Sequence, residues 1–214
     1  MLLIPTRNKF SYQRRHRAGM EEQDLPCVTE VIASAARSKN PEPRNPSCAP
    51  SPLRLIGVAG HAAIDRFLKD RPLPVPRSWS AIAGYQAAYS LIHRHFHCID
   101  ELWGTSTALW YKGRYSGVAD CLAVHRDTPS VLEFKFVKMM PSGKALSAYF
   151  MQCAAYAKAH NHEFGTCIEQ GVVLVHAENG QTKEFVSRGS DFLSYGTQWE
   201  KALSEYAKKK PMVD

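Results

Sequence analysis

Segments with a helical spacing of apolar residues alternate along the chain with segments typical of β-strands. The helical segments cover residues 25–37, 53–70, 80–98, 146–161 and 190–210. The strand-like segments cover residues 99–104, 107–112, 115–125, 130–137, 167–176 and 182–186. This order of elements predicts an α/β or α+β fold, in which a central mixed β-sheet is flanked by helices.

Proline and turn residues predict where these elements begin and end. Segment 38–52 contains five prolines and is predicted to be a loop, as is the Pro-rich segment 71–79. Thr29 is a candidate N-cap for the first helix. Residues 126–129 are predicted to form the turn of a β-hairpin that joins segments 115–125 and 130–137.

The charge of the chain is concentrated at its start. The formal net charge is +7 and the isoelectric point is about 9.1, values that favour a polyanionic partner, nucleic acid first. Residues 1–20 contain five of the positive charges and no acid, so the rest of the chain carries only +2. We therefore expect a basic, flexible arm at 1–24 and a single domain at 25–214. Three interpretations of residues 1–20 stay open: a flexible DNA-binding arm, a mitochondrial presequence, or an artefact of an early start codon.

Cysteine spacing and hydropathy indicate the redox compartment of the protein and its relation to membranes. The six cysteines lie at 27, 48, 98, 121, 153 and 167, and no two of them form a C-x-x-C pair. This pattern favours reduced thiols in a cytoplasmic protein over disulfides or a metal cluster. No apolar run approaches the roughly 20 residues that span a bilayer, so the sequence predicts a soluble protein without a membrane partner.

The candidate catalytic and metal-binding side chains are concentrated in the predicted hairpin. Alternate residues of a strand point to the same face, so Glu133 and Lys135 project together while Phe134 points the other way, into the core. Asp120, on the neighbouring strand, can reach the same face. Two carboxylates beside a lysine form a divalent-metal site with a cation next to it. A surface ion pair is the alternative, but the residues flanking Glu133 and Lys135 are apolar throughout.

Histidines in the two preceding helical segments are further candidates. His61 lies on or beside the apolar stripe of segment 53–70, where a histidine is more often part of the core than a ligand. His93, His95 and His97 are two residues apart, a spacing that does not place them on one helix face. We therefore expect these three to form a solvated helix end without a metal.

Five landmarks follow one another along the chain: Gly57 with His61, Glu101, Gly117 with Asp120, Glu133 with Lys135, and Gln152 with Tyr156. In this order they resemble the PD-(D/E)XK nuclease superfamily, and in particular its RecB-like exonuclease branch. The stretch LPCVTEVIASA, at residues 25–35, is also similar to the entry segment of mitochondrial and phage members. The resemblance covers residues 25 to 176.

The resemblance implies a restriction-endonuclease-like core with the site at one edge of the sheet. Asp120, Glu133 and the backbone carbonyl of Phe134 would bind Mg²⁺ or Mn²⁺. His61 would add a ligand that favours Mn²⁺. Glu101 matches a further acidic position of several members and is an additional candidate metal ligand, with an exposed carboxylate at a strand end as the alternative.

The same resemblance assigns the other landmarks to catalysis. Lys135 would orient the attacking water or help to deprotonate it, and Gln152 and Tyr156 would line the site. The residue after Lys135 is Phe136, where many relatives have Thr or Ser. Cysteines at the spacing of an iron–sulfur cluster are missing, so we expect no such cluster.

The function implied is that of a metal-dependent DNA exonuclease acting on single-stranded ends in replication, recombination or repair. The alternatives are a structure-specific or restriction-type endonuclease of the same fold, and a catalytically silent DNA-binding module. The polarity of digestion and the oligomeric state are left open by the sequence.

Overall fold

The computed structural model describes residues 4, 10, 12, 25–36 and 50–209. Its α-helices are α1 (Val28–Ala36), α2 (Pro52–Leu68), α3 (Trp79–His95), α4 (Gly143–Phe164) and α5 (Gly189–Lys209). Its strands are β1 (Ile99–Tyr111), β2 (Tyr115–His125), β3 (Thr128–Val137), β4 (Gln170–Ala177) and β5 (Thr182–Arg188). A 3₁₀ turn, Phe96–Cys98, connects α3 to β1.

The five strands form one mixed sheet in the order β1-β2-β3-β4-β5. The β3–β4 pair is parallel and is joined by α4, while the other three pairs are antiparallel. Helices α2 and α3 cover one face of the sheet, and α1, α4 and α5 cover the other. The predicted fold class, a mixed sheet flanked by helices, is therefore confirmed.

Strands β3 and β4 lie in the middle of the sheet and have a core on both faces. Leu132 and Phe134 pack toward α2 and α3, whereas Val131 packs toward α4 and α5. In β4 the even-numbered residues Val172 and Leu174 face α3, and their odd-numbered neighbours face α4. Burial on both faces explains why these strands have apolar runs rather than an alternating pattern.

Local residues account for the helix ends. The Ser51 and Ser78 hydroxyls accept bonds from backbone amides of the first turns of α2 and α3, and Pro52 follows at the start of α2. Helix α4 ends at Gly165, which has the left-handed φ of 64°. Segment 71–78 contains no helix or strand, as its prolines predict.

Several local predictions were wrong. The two strands predicted at 99–104 and 107–112 are one strand, β1, which has register shifts between Ile99 and Glu101 and between Leu102 and Gly104, and a positive φ of 48° at Ser106. Thr29 is not the N-cap, because α1 already begins at Val28. The hairpin turn is shorter than 126–129: only Arg126 and Asp127 have left-handed φ values, of 49° and 61°.

His95 also differs from the predicted solvated helix end. It is half-buried, and its Nε2 lies 3.0 Å from the Thr182 hydroxyl of β5. His93 and His97 are exposed, as expected. The end of α3 is therefore fixed to the edge strand of the sheet.

Most of the predicted N-terminal arm, and residues 38–49 of the predicted loop, lie outside the described residues. Phe10 and Tyr12 are described and pack against Trp103, His160 and Phe164. The Tyr12 hydroxyl lies 3.0 Å from Nε2 of His160. Mobility of the arm as a whole stays a prediction.

The described cysteines are Cys27, Cys98, Cys121, Cys153 and Cys167, and each is a free thiol. Among residues 25–36 and 50–209, no helix has the length and apolar character needed to cross a membrane.

Candidate metal centre

The candidate site lies where β2 and β3 separate. Their pairing runs from His125–Thr128 to Cys121–Leu132 and ends there. Asp120 is the residue of β2 just before Cys121. Its side chain replaces the missing backbone partner of β3, because its Oδ2 accepts a hydrogen bond from the Phe134 amide at 3.0 Å. The separation of the strands creates a gap with a carboxylate in it.

The same gap receives the backbone oxygen of Phe134. A residue in a strand directs its N–H and C=O to the same neighbouring strand. Because the Phe134 amide points toward Asp120, its carbonyl also faces the gap. The ring of Phe134 lies on the other face, 1% exposed, as predicted.

Glu133 is fully buried on the face of the sheet that α4 covers. Its Oε2 accepts a hydrogen bond from Lys135 Nζ at 2.7 Å, while its Oε1 has no hydrogen-bond partner among the described residues. Burial, together with the negative charge of Asp120, raises the pKa of Glu133 to about 7 despite the opposing effect of Lys135. The carboxylate thus has one oxygen that is ready to accept a cation or a proton.

Lys135 is held by residues of α4. Its Nζ donates to Gln152 Oε1 at 3.0 Å and lies 5.2 Å from the centre of the Tyr149 ring. Burial would lower the pKa of Lys135, but the charges of Glu133 and Asp120 outweigh burial and raise it above its ordinary value. The side chain is therefore a fixed cation.

Gln152 and Tyr156 are four residues apart on α4 and continue this chain of contacts. Gln152 Nε2 donates to the Tyr156 hydroxyl at 3.3 Å. Gly117 of β2 makes room for the Tyr156 ring, because a Cβ at this position would lie 2.7 Å from Tyr156 Cε1. The glycine of the G-x-x-D landmark thus serves close packing of α4 on β2.

His61 reaches the site from α2. Its Nδ1 lies 3.3 Å from Asp120 Oδ1, and 38% of its side chain is exposed. Burial would raise the pKa of Asp120, but contacts with His61, the charge of Lys135 and the Phe134 amide lower it overall. His61 therefore lies beside Asp120 with a partly exposed ring, where the resemblance places a ligand, and its role as a metal ligand stays a prediction.

A second acid, which was not predicted from the sequence, lies beside His61. Asp65 lies one helical turn further along α2, and its Oδ1 accepts a hydrogen bond from the Thr105 hydroxyl at 3.0 Å. The same hydroxyl lies 3.2 Å from the backbone oxygen of Asp120. Asp65 and His61 line one cavity of about 150 Å³ together with Asp120. The spacing of four between His61 and Asp65 was a signal that could have identified this acid.

A larger groove of about 580 Å³ passes over the gap. It contains six of the predicted site residues: His61, Asp120, Glu133, Lys135, Gln152 and Tyr156. Its outer wall is formed by Trp110 and Val118 of the β1–β2 hairpin, and Cys27 and Thr29 line it near the start of α1. The predicted residues thus come together in a groove that is open to solvent.

Glu101 is the exception. It lies on β1 opposite Val124, four residues along β2 from Asp120, or roughly 13 Å. Its Oε1 accepts a hydrogen bond from Trp103 Nε1 at 3.0 Å, and it lines neither the cavity nor the groove. The structure therefore does not bring Glu101 to the other landmarks.

The donors in the gap fit a divalent cation. They are the buried Oε1 of Glu133, which has no partner in the part of the chain that the structure describes, the Asp120 carboxylate, the Phe134 carbonyl and the His61 imidazole. Carboxylate and carbonyl oxygens suit Mg²⁺ and Mn²⁺, and an imidazole is a better ligand for Mn²⁺. A bound cation would also compensate the two neighbouring acids, only one of which is paired with Lys135.

No protein-family model matches the sequence, and no curated protein matches it by sequence. Among solved structures, the fold is similar to a chain from Eubacterium rectale named "Putative exonuclease", with a TM-score of 0.51 and 12% identity. That match covers 86% of this chain and 73% of the other. A second match, SSO0001, has a TM-score of 0.33 and 13% identity, and covers 83% of this chain and 84% of the other. At these identities the first match shows a likeness of fold alone.

Proposed function

We propose that the protein is a metal-dependent DNA exonuclease that hydrolyses phosphodiester bonds at single-stranded ends. The observation that carries this proposal is the burial of Glu133 together with its incomplete hydrogen bonding. It is completely buried and one oxygen is paired with Lys135, while the other has no partner among the described residues and lies beside Asp120 at the groove. A site that only stabilised the fold would satisfy both oxygens.

Asp120, Glu133 and the Phe134 carbonyl are the proposed ligands of Mg²⁺ or Mn²⁺, with His61 as an additional ligand. When bound, the ion supplies positive charge to the scissile phosphate and makes water acidic enough to serve as a nucleophile near neutral pH. Asp120 has a lowered pKa and is therefore ionised in advance, as a metal ligand has to be.

Lys135 is the proposed catalytic cation. Its ammonium group is fixed by Glu133 and Gln152, so it can hold the attacking water by a hydrogen bond and offset charge that develops on the phosphate oxygens. Tyr156 supports Gln152 through its hydroxyl, which keeps the amide oriented toward Lys135. Gln152 and Tyr156 also line the groove, where they are within reach of the DNA backbone.

The assignment to DNA ends rests on the resemblance of the landmarks and is supported by the similar fold of the Eubacterium rectale chain. The net charge of +7 agrees with a polyanionic substrate mainly through residues 1–20, since the rest of the chain carries only +2. Such an enzyme would act in DNA replication, recombination or repair, in a bacterial or phage setting or, as the alternative, in mitochondria.

The test is digestion of matched DNA substrates in the presence of Mn²⁺ or Mg²⁺. Linear single-stranded DNA should be degraded from its ends, closed circular single-stranded DNA of the same sequence should remain intact, and a chelator should stop the reaction. Cutting of the circle would identify an endonuclease instead. If neither substrate is cut and linear DNA is still bound, the protein is a silent binding module.

A further inference from the structure

A second cluster of metal-ligating side chains lies away from the Asp120–Glu133 centre. It contains Cys98 from the 3₁₀ turn after α3, His125 from the end of β2, and Glu184 from β5. One ligand atom from each of the three lies within 4.8 Å of the others. His125 is five residues beyond Asp120 on β2, roughly 16 Å along the strand, so the two sites do not share a ligand.

The cluster is largely inaccessible to solvent. His125 is 1% exposed, its Nε2 lies 3.1 Å from Glu184 Oε2, and its Nδ1 has no hydrogen-bond partner among the described residues. The Glu184 side chain is 15% exposed. An imidazole, a carboxylate and a thiol thus converge in a partly closed space, and the imidazole is incompletely bonded.

The types of donor atom in the cluster favour Zn²⁺ over Mg²⁺. Sulfur, imidazole nitrogen and carboxylate oxygen are the ligands that Zn²⁺ takes in proteins, and three of them leave a fourth position for water. Mg²⁺ prefers oxygen ligands alone, so this cluster and the Asp120–Glu133 centre favour different metals.

Arg126 occupies the approach to the cluster. Its guanidinium donates to Cys98 Sγ at 3.3 Å and to Glu184 Oε1 at 2.9 Å. The same side chain is 63% exposed, so it can turn outward without leaving a buried cavity. A positive group therefore already contacts two of the three ligands from the solvent side.

We propose that Cys98, His125 and Glu184 form a zinc site and that Arg126 leaves these ligands when the ion binds. Each ligand belongs to a different element, so the ion would join the α3–β1 connection, the end of β2 and the edge strand β5. The proposed site does not depend on the proposed nuclease activity.

Cobalt(II) bound to the full-length chain provides the test, because a cysteine ligand adds a thiolate-to-cobalt charge-transfer band in the near ultraviolet. The band should appear in the wild type and in Cys167→Ser, a control at an exposed thiol, and be absent in Cys98→Ser. It should also appear in Glu133→Gln, resist excess Mg²⁺ and vanish on addition of Zn²⁺. Lack of the band in the wild type, or its persistence in Cys98→Ser, would overturn the proposal.

Two more variants test the zinc site even if Cys98→Ser does not fold. Glu184→Gln should weaken Zn²⁺ binding at least about tenfold, because it replaces a charged ligand by a neutral amide. Arg126→Asn removes the competing guanidinium and retains a residue type that tolerates the left-handed φ of 49°, so it should bind Zn²⁺ more tightly than the wild type. Unchanged zinc affinity in both variants would contradict the site.

Discussion

Lys135 Nζ lies 2.7 Å from one oxygen of Glu133, while the other oxygen of the same buried carboxylate has no partner among the described residues. Buried polar atoms in folded proteins are nearly always bonded, so an exception calls for an explanation. The negative charge of Asp120 adds to the cost of ionising Glu133. A divalent cation between the two acids would bind the free oxygen of Glu133 and offset its repulsion by Asp120. Stability measured without and with metal should therefore differ.

The first effect is a loss of stability with rising pH in the metal-free protein. The pKa of Glu133 is about 7 in the folded state and near 4.5 in the unfolded chain. Between these values the folded state holds a proton that the unfolded state has released, so the stabilisation present below pH 4.5 is lost as the pH rises through about 7. Urea unfolding in chelator should show a decrease on the order of 3 kcal/mol over this range.

Glu133→Gln should lack this decrease, because an amide does not titrate. Glu205→Gln, at an exposed glutamate of α5, should retain it. The lowered pKa of Asp120 acts in the opposite direction and only in acid, since its stabilisation is lost as the pH falls below the ordinary value of 3.8. Identical pH profiles for the wild type and Glu133→Gln would refute the assignment of a raised pKa to Glu133.

The second effect is stabilisation by metal. Mn²⁺ should raise the melting temperature of the wild type, because binding to the folded state alone shifts the unfolding equilibrium. Glu133→Gln should bind Mn²⁺ at least about tenfold more weakly and show little of this rise. Thermal melts at matched Mn²⁺ concentrations measure both, and Cys98→Ser serves as a control for binding at the proposed zinc site. A full rise in Glu133→Gln would exclude Glu133 as a ligand.

His61→Ala should change the choice of metal. Its imidazole is the only nitrogen donor among the proposed ligands, and nitrogen donors favour Mn²⁺ over Mg²⁺. We therefore expect a larger loss of activity with Mn²⁺ than with Mg²⁺, measured as initial rates over a titration of each ion. If activity falls equally with both ions, His61 is not a metal ligand. It would then only position Asp120 through their 3.3 Å contact.

Gly117→Ala should reduce activity through Tyr156. The added methyl group would lie 2.7 Å from the Tyr156 ring, so the ring or the strand has to move, and Gln152 and Lys135 move with it. Overpacking of this kind costs roughly 1–3 kcal/mol of stability. Gly57→Ala is the matched control, because its methyl would meet Phe136 at an ordinary 3.9 Å within a helix. That variant should be as stable as the wild type or slightly more stable, with unchanged activity.

The central part of the site could be predicted from sequence because it depends on local periodicity. Glu133 and Lys135 share a face for the simple reason that a strand alternates, and Gln152 and Tyr156 share one because they are four residues apart on a helix. The fold class followed from the order of such segments. These relations need no knowledge of how distant elements pack.

The remaining features depend on tertiary packing, which periodicity does not encode. The separation of β2 and β3 at Asp120 and the approach of α2 bring His61 and Asp65 to the gap. Glu101 fits the order of landmarks, yet its position on β1 places it beside Trp103 and away from the groove. Strand β1 was divided in two because Gly104 and Ser106 interrupt the apolar pattern, although the pairing with β2 continues past them.

The proposed roles of Glu133 and Lys135 can be tested by Mn²⁺-dependent cleavage of linear single-stranded DNA with the wild type, Glu133→Gln and Lys135→Ala. Glu205→Gln and Lys201→Ala, at exposed positions of α5, are the matched controls. We expect the wild type and both controls to degrade the DNA at similar rates. The two site variants, although folded, should be slower by at least about 10²-fold. Cleavage by either site variant at the wild-type rate, or cleavage by the wild type in chelator, would contradict the proposed roles.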